Sequence, residues 1–140
     1  MALFAVSPFL SADAKLRRHA VNALSAGTAR HRPELVEDLI AHVAARPTSP
    51  HVASAQAIAG AGYASRHGAS GIQARTLVLH GDADTVVDPR NARILASRIP
   101  DAELLLFPNL GHLLYWEDPD AFVAAVTSFL LHGAARTYRT

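Results

Sequence analysis

Apolar and polar positions divide the chain into a helical first half and a second half that alternates strand and helix. Between Asp13 and about Ala26, Leu16, Ala20, Val21 and Leu24 recur on one side of a helix, with Gly27 as its stop. Pro33 opens a second helix with Leu35, Val36, Leu39, Ile40 and Val43 on one face, ending before Pro47. A third is predicted from about Pro50 to Ala61, with Val52, Ala55, Ile58 and Ala59 inward, followed by a Gly-, Ala- and Ser-rich loop from Gly60 to Gly71. The stretch Ala2–Leu10 reads as a strand remnant or an irregular lead-in, because Pro8 weakens a strand.

The period then changes. Thr76–His80 is a short β-branched and apolar run halted by Gly81, the pattern of a buried strand. Asp88 and Pro89 supply an N-cap and a proline at the first helical position, and Ala92, Leu95, Ala96 and Ile99 follow with helical spacing until Pro100. Glu103–Phe107 reads as a second buried strand, and Pro108, Asn109, Leu110 and Gly111 turn the chain into His112. A last helix starts at Asp118 and Pro119 and carries Phe122, Val123, Val126, Phe129 and Leu130, while Arg136–Thr140 reads as a frayed tail. A strand–helix–strand unit of this kind has parallel neighbouring strands.

That geometry carries the candidate chemistry. Asp84 and His112 each follow a strand by a short loop, and neighbouring strands lie roughly 4.8 Å apart, so both loops emerge at the carboxyl edge of the sheet. A carboxylate there can accept the Nδ1–H of an imidazole, fix its tautomer and stabilise the cation formed when it takes a proton.

At these residues the chain resembles the α/β-hydrolase family. The shared pattern is a strand ending HG-x-x-D-x-x-V, here His80–Gly81–Asp82–Ala83–Asp84–Thr85–Val86–Val87, then a helix, a strand and a G-H. Gly111–His112 supplies the last pair, and Trp116–Glu117–Asp118–Pro119 the aromatic–acid–x–proline run behind it. The resemblance spans about Gln73 to Leu130 and implies that Asp84 is the triad acid and His112 the general base. Asp82 competes with Asp84 for that role; its other reading is a carboxylate that bonds loop amides. The resemblance implies an α/β class, a partial α/β-hydrolase fold in which a helical cap segment precedes a β-α-β-α unit with parallel strands. Residues 1–72 are then the cap-like segment, 73–132 the C-terminal part of the core and 133–140 a tail. Caps shape the substrate pocket in this family, although the pattern alone also fits an ordinary small helical bundle.

The departure is the nucleophile. The family's G-x-S-x-G elbow is absent from these residues, and Gly68–Ala69–Ser70–Gly71 has the wrong spacing and follows no apolar strand. The expected activity is hydrolysis of a small ester, lactone or related bond, with this chain by itself inactive. The alternative is a non-catalytic, truncated or split-gene product acting with a partner, whether a complementing N-terminal half or a second copy. A remoter one is a magnesium-dependent phosphatase using Asp82 and Asp84, since D-x-D-x-[TV] resembles the haloacid-dehalogenase-like signature. There, however, the aspartate follows the strand directly and a downstream lysine is required, whereas Lys15 lies upstream.

Composition narrows the rest. The 140 residues suit one domain, half of them are hydrophobic, and the net charge of +1 gives no reason to expect nucleic acid or an acidic membrane as partner. Without cysteine there is no thiolate chemistry, and the remaining histidines show no metal-ligand spacing, so no metal or cofactor is expected. No secretory leader or membrane span is read, and a cytoplasmic location is the default expectation. His80, ending a buried strand, is expected to be a hydrogen-bonded core histidine. Tyr115 and Trp116 are expected to pack over the final helix or to line a substrate pocket.

Overall fold

The computed structural model describes residues 11–62 and 68–133; the lead-in Met1–Leu10, the loop serine Ser65 and the tail Arg136–Thr140 lie outside them. Helix α1 (Ala12–Ala23) begins at Ser11, whose Oγ accepts the amide of Ala14. It ends earlier than its apolar spacing predicts. Ser25 Oγ accepts the amide of Thr28 and thereby starts a separate helix, α2 (Ala26–His31), so Gly27 is an interior residue and not a stop. Helices α3 (Pro33–Ala45) and α4 (Pro50–Gly62) follow, then a 3-10 turn at Ala69–Gly71.

Ala20, Leu24, Val36 and Leu39 form the core of this half, with Leu113 and Trp116 from the far end of the chain packed onto it. Helix α4 stands apart from that cluster. Val52 and Ile58, expected to point inward, are exposed, as are Ala55 and Ala59. Its apolar residues encircle it, so the pattern does not select a face.

Strands β1 (Thr76–Gly81) and β2 (Ala102–Phe107) pair in parallel, with Thr76 opposite Ala102 and Gly81 opposite Phe107. Helix α5 (Arg90–Arg98) joins them and buries Ala92, with Ile99 buried at its end. The helix starts one residue later than expected, with Pro89 at the N-cap, and Asp88 Oδ1 still accepts the amide of Arg90. The strands are less buried than their apolar runs suggest. Only Val78, Gly81 and Phe107 are fully covered, because these two strands are the whole sheet among the described residues.

The short helix α6 (Leu114–Glu117) and α7 (Pro119–His132) close over the sheet through Phe107, Leu114 and Ala125, with Leu79, Leu105, Leu110, Ala121 and Phe122 around them. Burying a phenylalanine or leucine contributes about 1.5–3 kcal/mol, so this cluster is what holds α7 in place. Asp118 Oδ1 caps α7 through the amide of Ala121. The buried side of α7 is Ala125 and Ser128, whereas Val123 and Leu130, expected on the inner face, are exposed. Helix α7 is apolar nearly all round, and the residues it buries are small ones.

Candidate active site

The ends of β1 and β2 stay paired as they leave the sheet: the amide of Asp82 donates to Phe107 O and that of Ala83 to Leu110 O. A side chain at Gly81 would collide with the carbonyl oxygens of Leu110 and Gly111, so glycine is what lets the two loops touch. Asn109, with φ at 60°, makes the left-handed turn that brings the second loop back. Its amide donates to Asp82 Oδ1 at 2.6 Å. Asp82 is thus a tie between loops, on an exposed position.

Asp84 points the other way and is buried, with 7% of its surface accessible. Its Oδ1 accepts the amides of Val86 at 2.7 Å and Val87 at 2.9 Å. Its Oδ2 lies 2.9 Å from His112 Nδ1 and 3.1 Å from His80 Nε2. As a carboxylate taking three hydrogen bonds, from the Val86 and Val87 amides and from His112, Asp84 acts as acceptor, which puts the His112 proton on Nδ1 and leaves Nε2 as the lone-pair nitrogen. His112 keeps 39% of its side chain accessible, whereas the Asp84 side chain is only 2% accessible. Such a pair can take a proton at Nε2 and hold the resulting cation against Asp84.

One acidic residue has a central role that the sequence reading did not assign: Glu117 entered it only as the acid of the aromatic–acid–x–proline run. Glu117 is 1% exposed, and its Oε1 accepts the amide of Gly111, beside His112, at 2.6 Å. The same carboxylate accepts the Ser25 amide, with both oxygens at 3.1 Å. Arg32 Nη1 donates to Glu117 O at 2.9 Å, and the Leu113 amide to Ala23 O at 2.9 Å. The α1–α2 corner is therefore bolted directly onto the histidine loop. The available signal was a glutamate that closes an apolar stretch, Leu113–Trp116, just before an N-cap and proline. Ser25 has no freedom to act as a nucleophile, since its Oγ caps α2 and donates to Thr28 Oγ1 at 3.0 Å.

The two aromatic residues separate. Tyr115 is exposed and leans on Phe122 of α7, centroids 5.9 Å apart. Trp116 instead packs on the first helical cluster and meets the His42 ring edge-on at 5.3 Å. Among the described serines, Ser11 and Ser25 are helix caps, and Ser54, Ser97 and Ser128 lie within helices. Ser49 precedes α4 and Ser70 sits in the 3-10 turn, so none occupies a strand-to-helix turn.

Comparison with known proteins agrees with the fold. A family model described as alpha/beta hydrolase fold matches residues 6–119. The proline iminopeptidase PfmaB of Pestalotiopsis fici is 41% identical over 59 residues, 42% of this chain and 21% of its own length. A 2-hydroxy-6-oxo-6-phenylhexa-2,4-dienoate hydrolase of Burkholderia cepacia is 40% identical over 62 residues, 44% of this chain and 22% of its own. Among solved structures, Est816, described as an N-acyl homoserine lactone degrading enzyme, superposes with a TM-score of 0.68 at 30% identity. That match covers 84% of this chain and 47% of Est816. A hydrolase from Pseudomonas aeruginosa PA01 gives 0.73 at 27% identity over 84% of this chain and 43% of that one. The chain thus spans less than half the length of these structural relatives, and the matched stretches are under a quarter of the curated ones.

Proposed function

Because the chain belongs to the alpha/beta hydrolase family, we propose that it provides the acid–base half of a hydrolase acting on a small ester, lactone or related bond. His112 is the general base through Nε2, and Asp84 orients it. The observation that carries this reading is the 2.9 Å contact between Asp84 Oδ2 and His112 Nδ1, on a carboxylate whose other oxygen is pinned by two amides. The lactone-degrading description of Est816 supports the substrate range, and the hydrolase description of the Burkholderia cepacia relative supports the reaction type.

The nucleophile is not supplied by any motif within these residues. An elbow is needed because its strained turn pushes Oγ into the pocket and offers the next backbone amide to the oxyanion. The proposed reading is that the chain as it stands is not a competent serine hydrolase, and that it works with a strand-bearing partner, either an N-terminal half or a second copy. Exposed Leu130 and Leu131 on α7, each 72% accessible, and the two unpaired sheet edges among the described residues favour such a partner.

Nitrophenyl acetate and a fluorophosphonate probe test this reading. The purified chain is expected to show no burst and no stoichiometric labelling, as losing a triad nucleophile costs on the order of a millionfold in turnover. Labelling at Ser65 or Ser70 that His112→Ala abolishes would overturn the assignment of the nucleophile elsewhere.

A further inference from the structure

A second histidine shares the oxygen that orients His112. His80 Nε2 lies 3.1 Å from Asp84 Oδ2 and 3.0 Å from Val87 O. Both neighbours are acceptors, so Nε2 must carry a proton, whether His80 is neutral or charged. His80 is mounted on β1 opposite Leu106, and its side chain is only 15% accessible.

From this we infer that His80 is a positioning residue for the Asp84–His112 pair: its N–H is bonded to Val87 O, and the same protonated nitrogen, 3.1 Å from Asp84 Oδ2, holds that oxygen facing His112 by electrostatic attraction. The inference rests on reading Asp84 and His112 as acid and base, and it adds a third side chain to that reading. The amides of Val86 and Val87 fix only Oδ1, about which the carboxylate can still pivot. His80 supplies the second anchor, on the second oxygen and from a strand instead of a loop. The ring closes through one residue, because Val87 gives its amide to Asp84 and its carbonyl to His80.

Tautomers are directly readable, so the test uses the intact chain with isotope-labelled histidine and long-range proton–nitrogen correlation spectra in alkaline buffer. In the unaltered chain His80 is expected to carry its proton on Nε2 and His112 on Nδ1. His80→Phe keeps the ring volume and removes the donor, and the ratio of Nδ1–H to Nε2–H forms at His112 is expected to fall about tenfold. His80→Gln can place an amide nitrogen near the lost Nε2 and should restore the ratio, whereas the shorter His80→Asn should not. A Nδ1–H tautomer at His80 in the unaltered chain overturns the inference. So does an unchanged His112 ratio in His80→Phe. Should His80→Phe fail to fold, equal His112 ratios in the Gln and Asn variants overturn it as well. A His112 that already carries its proton on Nε2 in the unaltered chain defeats the acid–base reading itself, which is a separate outcome.

Discussion

Gly111 gives its amide to Glu117 Oε1 at 2.6 Å, inside a site where Glu117 is almost wholly buried. That bond sets the peptide immediately before His112, and the same carboxylate reaches across to Ser25 at the corner of the helical half. One side chain therefore couples the loop that bears the base to the segment that stands over it. A Cβ at Gly111 would press on the backbone of Leu24 and Ser25, so the approach leaves no room for any other residue there.

Glu117→Ala should consequently be among the costliest single changes in the chain. It strips the partner from two amides and opens a buried gap, and a loss of about 3 kcal/mol is expected. Glu117→Gln keeps one acceptor oxygen and should lose roughly 1 kcal/mol. Urea unfolding measures both, and a neutral Glu117→Ala would remove the coupling role.

Gly81→Ala tests the loop contact from the other side. The added carbon overlaps backbone oxygens of Leu110 and Gly111, which no side-chain rotation can relieve. A destabilisation of about 3 kcal/mol or more is expected by thermal melting. A melting point within a few degrees of the unaltered chain would mean that the two loops separate easily.

Acid should weaken the start of α5. The Arg90 guanidinium, hydrogen-bonded to Asp88 at 2.9 Å, and the Arg90 amide hold the Asp88 carboxyl down at about 2 against an ordinary 3.8. A carboxyl whose folded value is depressed stabilises the fold above its unfolded value, and that contribution is lost as pH falls through the folded one. The window is therefore roughly pH 4 down to 2. The pair is fully exposed and screened by salt, so the effect is small. Asp88→Asn should flatten this part of the stability profile, and an unchanged slope would show that the contact does not persist in solution.

The chain should also associate. Two strands are marginal without further partners, and Val123, Leu130 and Leu131 leave one side of α7 uncovered. Sedimentation at tens of micromolar is expected to show dimers or larger species, whereas a compact monomer that unfolds cooperatively would count against it.

What the sequence made legible is what local rules govern. Gly81 and Phe107 end the strands, Asp88 and Asp118 accept amides at the starts of the helices after them, and the matched loop offsets bring Asp84 and His112 together. The break after Ala23 was hidden because Leu24 continues the spacing of α1, although Ser25 and Thr28 do form a helix-start pair. Its cause is distant: the Ser25 amide bonds Glu117, a contact that no window of sequence contains. The faces of α4 and α7 were illegible for a different reason, since a helix that is apolar all round leaves the choice to its neighbours. Trp116 illustrates the same limit, for the helical cluster it joins lies far back in the chain.

Whether Asp84 orients His112 is measured, without any substrate, by acylation with diethyl pyrocarbonate. The reagent attacks an imidazole nitrogen that carries a free lone pair. In the unaltered chain that nitrogen is Nε2 of His112, and its peptide should be modified readily, with exposed His51 as the internal reference. Asp84→Asn can still accept the amides of Val86 and Val87 while turning an NH2 toward Nδ1, which moves the imidazole proton to Nε2. The His112 rate, relative to His51, should then fall about tenfold or more, and Asp82→Asn should leave it unchanged. Equal His112 rates in Asp84→Asn and the unaltered chain, or a fall in Asp82→Asn, would contradict the account.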